Sequence, residues 1–272
     1  MWGTGHRTGA AVVTERETNR VLVVRPLAVL KLYTAAWRRD TEVTALESLR
    51  GRAPVPAVIG SATFGRHSAA LIRYVRGSAP NPASALDVRA SVAALRAAHT
   101  ITGPAFGRLH APDQPSWAGF LAGRLDSYAE TLATLGLTAQ ARQCRTLHHA
   151  LDVLEDTHPH LLHSDPNPGN VILTEHGPVL VDWELATFGD PDLDLVRLAW
   201  EWRLPPARWA EWVGLDPRSP TVDLYLRLHL FSRLMSASSR PGAASAALAH
   251  RCLTELTDLH DGVHSPGGSD AS

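Results

Sequence analysis

The sequence of 272 residues predicts an α+β protein of two lobes, a small antiparallel-sheet N-terminal lobe and a larger, mainly helical C-terminal lobe. Short apolar runs bounded by turns fill the first 75 residues, which is typical of a sheet. From residue 84 onward apolar residues recur every three or four positions, as in amphipathic helices. We therefore place the lobes at residues 1–75 and 76–262, and we expect a disordered Gly/Ser-rich tail at residues 263–272.

The N-terminal lobe begins with three Val-rich runs, separated by polar residues and by a turn at Pro26. Apolar residues at helical spacing then predict a helix over Ala35–Arg50, with Gly51 at its C-terminal end. Two further apolar runs follow the break at Pro54-Val55-Pro56. The predicted strands are Thr8–Val13, Arg20–Arg25, Ala28–Tyr33, Ala57–Ser61 and Ala69–Val75.

The C-terminal lobe is predicted to be helical except for one hairpin. Two short apolar runs flank Glu175-His176-Gly177, which is a hairpin signal. The runs are Val171–Leu173 and Val179–Asp182. The predicted helices are Leu86–Ala98, Ser116–Leu135, Thr138–Asp156 and a series between Leu193 and Leu259.

Charge and composition exclude several functional classes. The formal net charge of −1 predicts no nucleic-acid or membrane partner, since such partners attract strongly basic faces. No apolar run reaches the roughly 18 residues of a bilayer span, and Met1–Ala10 lacks the apolar stretch of a signal peptide. Cys144 and Cys252 are too far apart in sequence for a zinc knuckle or a disulfide framework. We expect a cytoplasmic protein.

The chain contains a single lysine, Lys31, among 26 basic residues. Every other residue of this basic set is an arginine. A lysine at one position therefore indicates a site where a planar guanidinium group cannot replace an ammonium group. An ammonium group is a compact point charge on a thin stem. Lys31 is therefore a candidate functional residue, although the survival of one lysine by chance gives the same pattern.

The segment with the clearest chemical content is the polar loop His163–Asn170, followed by Val181-Asp182-Trp183-Glu184. The predicted hairpin between them returns the chain, so that Asp182 lies beside Asn170. Carboxylate and amide oxygens suit a hard cation such as Mg²⁺. Asp165 precedes a proline, which favours an extended backbone and a stiff loop. These residues predict a positioned base and a magnesium site.

The pattern His163-x-Asp165-x-x-x-x-Asn170, with Val181-Asp182-Trp183-Glu184 downstream, resembles the aminoglycoside phosphotransferase and choline kinase family. That resemblance implies the two-lobed protein-kinase-like fold. It extends in register over roughly residues 8–200. The further matching segments are Val29-Leu30-Lys31-Leu32, Glu42-x-x-x-Leu46-x-x-Leu49, Pro54-Val55-Pro56, Ile72-Arg73-Tyr74, Leu95-x-x-x-His99 and Gly189-Asp190-Pro191 through Asp194-Leu195.

The resemblance implies a role for each matching residue in phosphoryl transfer from ATP or GTP. Asp165 is the expected catalytic base for the substrate hydroxyl, while Asn170 and Asp182 are the expected Mg²⁺ ligands. Lys31 is expected to hold the nucleotide phosphates, with Glu42 orienting it. The nucleobase is expected to meet the backbone of Arg73, Tyr74 and Val75.

The sequence departs from the family pattern at two places. The expected phosphate-covering loop at residues 14–19 contains no glycine, so close approach of its backbone to a phosphate is less assured. Ser164 stands where the family usually has glycine, and Asn167 where histidine is frequent. The acidic residues that follow the hairpin also have structural alternatives to a role in the site. Glu184 is either a metal contact or solvated, while Asp190, Asp192 and Asp194 are expected to be helix-start caps and structural hydrogen-bonders rather than ligands.

The resemblance implies a small-molecule kinase, and we favour an aminoglycoside-like or other cationic antibiotic as acceptor, with antibiotic resistance as the result. The acidic residues Glu184, Asp190 and Asp192 near the expected substrate mouth favour such a cationic acceptor. Kinases of choline, homoserine or a sugar amine are alternatives within the family. A catalytically inactive, nucleotide-binding pseudokinase is the alternative from another class. A protein kinase is disfavoured because Asp182 begins no Asp-Phe-Gly and the segment from Asp182 to Asp194 is short.

Overall fold

The computed structural model describes residues 6–8, 11–15, 19–65, 67–154 and 157–261, with side chains from residue 20 onward. Residues 16–18 of the expected phosphate-covering loop and the predicted tail at 263–272 lie outside these ranges. Among the described residues, no helix is long and apolar enough to cross a membrane.

The strands form three antiparallel sheets. The largest has six strands in the order β1-β2-β3-β4-β6-β5, and the smaller ones pair β10 with β9 and place β11 between β7 and β8. The strands are β1 (His6–Thr8), β2 (Ala11–Glu15), β3 (Asn19–Val24), β4 (Ala28–Tyr33), β5 (Val58–Phe64), β6 (His67–Arg73), β7 (Gly107–Arg108), β8 (His160–Leu162), β9 (Val171–Thr174), β10 (Gly177–Leu180) and β11 (Thr187–Gly189).

Eight α-helices and three short 3₁₀ segments complete the described part of the chain. The α-helices are α1 (Ala36–Leu49), α2 (Ala85–Ala98), α3 (Trp117–Thr134), α4 (Thr138–Thr146), α5 (Pro191–Glu201), α6 (Trp209–Trp212), α7 (Pro220–Ser238) and α8 (Ala243–His260). The 3₁₀ segments are Leu147–Val153, Pro168–Asn170 and Pro206–Arg208.

The chain forms two compact units. The first unit comprises the described residues of Met1–Pro115 and Thr157–Gly214, and the second those of Ser116–Asp156 and Leu215–Ser272. The lobe boundary predicted near residue 75 falls inside the first unit and stays a prediction.

In the first unit, strand β4 lies between β3 and β6, so both of its edges are hydrogen-bonded. Lys31 faces Val21 on one side and Ala70 on the other, and its side chain is buried. Helix α1 packs against this sheet through one buried face, which includes Glu42 and Leu46. The chain leaves α1 through Gly51 at φ 73°, the left-handed conformation that favours glycine after a helix.

The second unit is built from α3, α4, α7 and α8 around apolar side chains. Its buried Trp117 donates its indole N–H to the hydroxyl of Tyr225 at 2.8 Å. The single helix predicted over Thr138–Asp156 is wrong in its second half. There the chain continues as the 3₁₀ segment Leu147–Val153, in which Leu147 and Leu151 are buried.

Candidate active site

A buried lysine and two carboxylates form the centre of the candidate site. The Lys31 ammonium lies 2.5 Å from Glu42 Oε2 and 2.7 Å from Asp182 Oδ1. Strand β4 supplies the lysine, helix α1 the glutamate, and the segment after β10 the aspartate. The predicted Lys31–Glu42 pair is therefore present, and Asp182 joins it.

Burial alone would lower the pKa of Lys31, but the negative charges of Asp182, Glu42 and Glu184 raise it above the ordinary value. The ammonium is therefore charged at neutral pH. A fixed cation on a buried strand can neutralise phosphate charge.

Tyr33 is a second donor to Glu42. It follows Lys31 by two residues on β4, so both side chains point to the same face of the sheet. Its hydroxyl donates to Glu42 Oε2 at 2.6 Å, the oxygen that also accepts from Lys31. Sequence analysis missed this residue, although the two-residue spacing was available as a signal.

The polar loop after β8 is held by one buried carboxylate. Asp194 Oδ2 accepts the backbone N–H of His163 at 2.6 Å, and Oδ1 accepts that of Ser164 at 2.8 Å. Its Oδ2 also lies 3.2 Å from His99 Nε2. Asp194 is expected to make structural hydrogen bonds, and the structure confirms this, because its carboxylate holds the loop from the first turn of α5.

Ser164 occupies the left-handed region at φ 69°. Its carbonyl accepts a hydrogen bond from Arg197 at 2.7 Å, which fixes the peptide beyond the strained residue. A residue with a Cβ is strained there, whereas glycine is not. This geometry gives a physical reason for the glycine that the family usually carries at this position.

Asp165 and Asn170 meet at the two ends of the loop. The amide of Asn170 donates to the backbone carbonyl of Asp165 at 2.9 Å and to its Oδ2 at 3.1 Å. The 3₁₀ turn Pro168–Asn170 brings the amide back, and Trp202 donates its indole N–H to the Pro166 carbonyl at 3.0 Å. The carboxylate of the predicted base is thus held in one orientation.

His163 braces the loop from inside. Its Nε2–H donates to the carbonyl of Val181 at 3.0 Å, while Nδ1 accepts the backbone N–H of Asp165 at 3.3 Å. Its ring lies 4.5 Å from that of Trp183. Burial lowers the pKa of His163 despite the nearby Asp194, so the ring is neutral and uses both nitrogens structurally.

The β9–β10 hairpin returns the chain as predicted, with Thr174 and Gly177 closing a two-residue turn. The backbone N–H of Val181 donates to the carbonyl of Asn170 at 2.9 Å, so Asp182 follows directly after this contact. Asp182 itself has a left-handed backbone at φ 71°. The structure therefore places the two expected metal ligands, Asn170 and Asp182, on adjacent backbone segments.

Three carboxylates in this region could hold a divalent cation. Single ligand oxygens of Glu42, Asp182 and Glu184 all lie within 4.8 Å of one another. Glu184 is not solvated, because it is buried and its Oε1 accepts a hydrogen bond from Arg38 at 2.9 Å. Hard oxygen donors of this kind suit Mg²⁺ bound together with phosphate oxygens.

Comparison with known sequences decides the family. The chain matches the phosphotransferase enzyme family over residues 11–229. The chain belongs to the phosphotransferase enzyme family. This membership confirms the enzyme class predicted from sequence, a small-molecule kinase. A search of curated proteins with the sequence finds no match.

Solved structures of two kinds of phosphotransferase share the fold, which confirms the predicted α+β, protein-kinase-like class. One is a thermostable mutant of aminoglycoside phosphotransferase APH(4)-Ia, with 17% identity, a TM-score of 0.71 and coverage of 97% of both chains. Another is a choline/ethanolamine kinase family protein from Mesorhizobium loti, with 20% identity, a TM-score of 0.68 and coverage of 95% of this chain and 90% of the other.

In this phosphotransferase the expected nucleobase segment offers one distinct donor. The backbone N–H of Arg73 donates to Ala57 O at 2.8 Å, and that of Tyr74 to Leu27 O at 3.2 Å. Within the described part of the chain, the N–H of Val75 makes no hydrogen bond. Gly77 follows, where an added Cβ would lie 2.2 Å from the carbonyl oxygen of Leu173, so this connection passes too close to β9 for a side chain.

Proposed function

We propose that this phosphotransferase acts in the cytoplasm, with Mg²⁺, to transfer the γ-phosphate of ATP or GTP to a hydroxyl group of a small molecule. The observation that carries the proposal is that two groups of polar side chains lie on neighbouring, hydrogen-bonded backbone segments. Lys31, Glu42 and Asp182 form a charged network, and Asp165 is fixed by Asn170 one hydrogen-bonded backbone step away. Phosphoryl transfer depends mainly on such positioning and charge neutralisation.

In this proposal each of these side chains has a role in phosphoryl transfer that fits its position. Lys31 binds the α- and β-phosphates, and Glu42 keeps its ammonium extended with the help of Tyr33. Asp165 accepts a hydrogen bond from the acceptor hydroxyl and takes its proton as the oxygen attacks the γ-phosphorus, whose bond to the β–γ bridging oxygen breaks and releases ADP or GDP. Asn170 and Asp182 would hold Mg²⁺, which neutralises phosphate charge when bound.

The nucleobase is proposed to bind along Arg73, Tyr74 and Val75. Because the N–H groups of Arg73 and Tyr74 already bond within the sheet, the N–H of Val75 is the donor that a base can use. One of the similar structures, of a thermostable mutant of aminoglycoside phosphotransferase APH(4)-Ia, is a ternary complex with AMP-PNP and hygromycin B, which supports a nucleotide donor here.

The acceptor proposed first is an aminoglycoside-like or other cationic antibiotic, whose phosphorylation would give resistance. The similarity to aminoglycoside phosphotransferase structures supports it. The acidic residues after the hairpin give it less support, since Glu184 is paired with Arg38 and Asp190 caps α5. Choline, amino alcohols and sugar amines form the second candidate class, which the similarity to a choline/ethanolamine kinase family protein favours.

The decisive experiment is a coupled ADP- or GDP-release assay with Mg²⁺ across aminoglycosides, choline, amino alcohols and sugar amines. Wild type is expected to turn over one class of acceptor, with a loss of at least about 10²-fold in Asp165→Asn, and tighter nucleotide binding than in Lys31→Ala. Asp126→Asn, an exposed carboxylate in the second unit, serves as the matched control. Nucleotide binding without turnover on any acceptor would point instead to a pseudokinase.

A further inference from the structure

Two sets of contacts connect helix α1 to the segment that contains Asp182. The first is the ion-pair network of Lys31, and the second is an ion pair of Arg38. Arg38 lies one helical turn before Glu42, so both side chains leave the same face of α1. Its Nη1 donates to Glu184 Oε1 at 2.9 Å, with the two side chains only 20% and 9% exposed. Glu184 follows Asp182 by two residues.

The Arg38 guanidinium also contacts an aromatic ring. It lies 4.6 Å from the ring centre of Trp37, and the Arg108 guanidinium lies at the same distance from that ring. Arg108 belongs to β7, which pairs with β11 at Thr187. The first turn of α1 therefore contacts the segment after Asp182 directly and the strand that pairs with this segment.

Thr41 adds a third contact from the next turn of α1. Its hydroxyl lies 3.2 Å from His110 Nδ1, and the His110 ring lies 5.3 Å from that of Trp37. Trp37, Arg38 and Thr41 thus form an anchor for α1, and Arg38 is its charged member at the site.

The charges at this point need a second cation. Glu42, Asp182 and Glu184 crowd three carboxylates within 4.8 Å, and Lys31 contacts only the first two. Like charges this close repel strongly when they are shielded from water. Arg38 supplies the compensating charge for Glu184, and a planar guanidinium does so with a fixed direction.

We infer that Arg38 is a positioning residue for phosphoryl transfer, a role that rests on the proposed function. By holding Glu184 it fixes the distance between α1 and the Asp182 loop, so that Glu42 keeps Lys31 aligned with the donor phosphates. Arg38 acts through Glu42 and Glu184 and does not touch the nucleotide itself. Loss of the pair lets α1 and the loop separate, which misaligns the lysine.

The test is a double-mutant cycle on the full chain with MgATP and the best acceptor. Arg38→Gln is expected to lower kcat about 10- to 100-fold, since a displacement near 1 Å costs that much in a positioned site. Glu184→Gln is expected to lower kcat similarly, and the double variant Arg38→Gln/Glu184→Gln no further than the worse single variant. Arg38→Lys should recover part of the loss.

A second cycle tests the route through the lysine network. If Arg38 acts through Glu42, the combination Arg38→Gln/Glu42→Gln lowers kcat no more than Glu42→Gln alone. Arg39→Gln is the matched control, because Arg39 is the next residue of α1 and contacts Thr63 and Asp40 instead. Should Arg38→Gln fail to fold by circular dichroism, both cycles are run with Arg38→Met, which removes the charge and keeps an aliphatic stem.

The outcomes separate this inference from the proposed function. Turnover in wild type, its loss in Lys31→Ala, and wild-type kcat in Arg38→Gln would overturn the positioning role alone. Additive losses in both cycles would also overturn it, because Arg38 would then act independently of Glu184 and Glu42. Absence of MgATP binding by wild type would overturn the proposed function and the role with it.

Discussion

The two units of this chain bury different chemistry. Within the described ranges, eleven of the twelve buried polar or charged residues other than tyrosine lie in the first unit, and His229 is the one in the second. The charged members of the first unit include Lys31, Glu42, Glu184 and Asp194. The interior of the second unit is instead made of side chains such as Leu125, Leu132 and Phe231.

This difference shows in which unit buried charged groups lower the stability of the fold unless they are compensated. A buried charge costs free energy unless a partner and hydrogen bonds compensate it. In the first unit each of these charges has such a partner, and the Lys31–Glu42 pair accounts for two of the four named here. An apolar interior has no such requirement, so substitutions in the second unit should affect stability and those in the first unit should affect chemistry as well.

The largest effect is expected for Asp194→Asn. The variant keeps the shape of the side chain but removes the charge that holds the N–H groups of His163 and Ser164. We expect the free energy of unfolding to fall by about 3 kcal/mol and turnover to fall more than about 10²-fold. Urea denaturation and the coupled assay measure the two losses. Asp190→Asn is the control, since asparagine caps a helix about as well as aspartate does.

The pH dependence gives an independent check on Asp194. Burial alone would raise the pKa of Asp194, but the hydrogen bond from His99 and the positive charge of Arg197 lower it below the ordinary value. A carboxylate whose pKa is lower in the folded state contributes its full share to the free energy of unfolding when the pH is above its pKa in the unfolded chain. This contribution is lost as the pH falls through its pKa in the folded protein. The stability gap between wild type and Asp194→Asn should therefore narrow below about pH 4. A gap that is constant with pH would contradict this account.

A matched pair of leucines tests the difference between the units directly. Leu125 in α3 and Leu161 in β8 are both fully buried, and Leu161 lies two residues before His163. Each Leu→Ala variant should lose about 3 kcal/mol of unfolding free energy through the cavity it leaves. We expect kcat, measured well below the melting temperature of both variants, to fall in Leu161→Ala only. Equal losses of kcat in both variants would contradict the separation.

The smallest effect is expected at Ser164, whose left-handed backbone is strained. Ser164→Gly should raise the free energy of unfolding by about 0.5 kcal/mol, because relief of strain exceeds the added entropy of the unfolded chain. Thermal denaturation measures this gain. Ser164→Ala keeps the strain and removes only the hydroxyl, so it should give no gain.

The sequence predicted elements whose signal is local. Strand β4 has the predicted bounds Ala28–Tyr33, helix α1 lies within one residue of its prediction, and the hairpin turn falls at Glu175-His176. Lys31 stands out as the single lysine of the sequence without knowledge of any contact. Periodicity, turn residues and motif spacing act over a few residues, so a linear sequence displays them.

Contacts between distant residues were decided by the tertiary structure. Arg38 and Glu184 are 146 residues apart, and Asp194 lies 31 residues after His163, the first residue of the loop it holds. No spacing rule reports such pairs, because they depend on how α1, α5 and the hairpin pack in three dimensions. The sequence by itself predicted the candidate site residues and determined the local elements that bear them. Packing decided which charges meet, since a buried charge is stable only where the fold brings its partner to it.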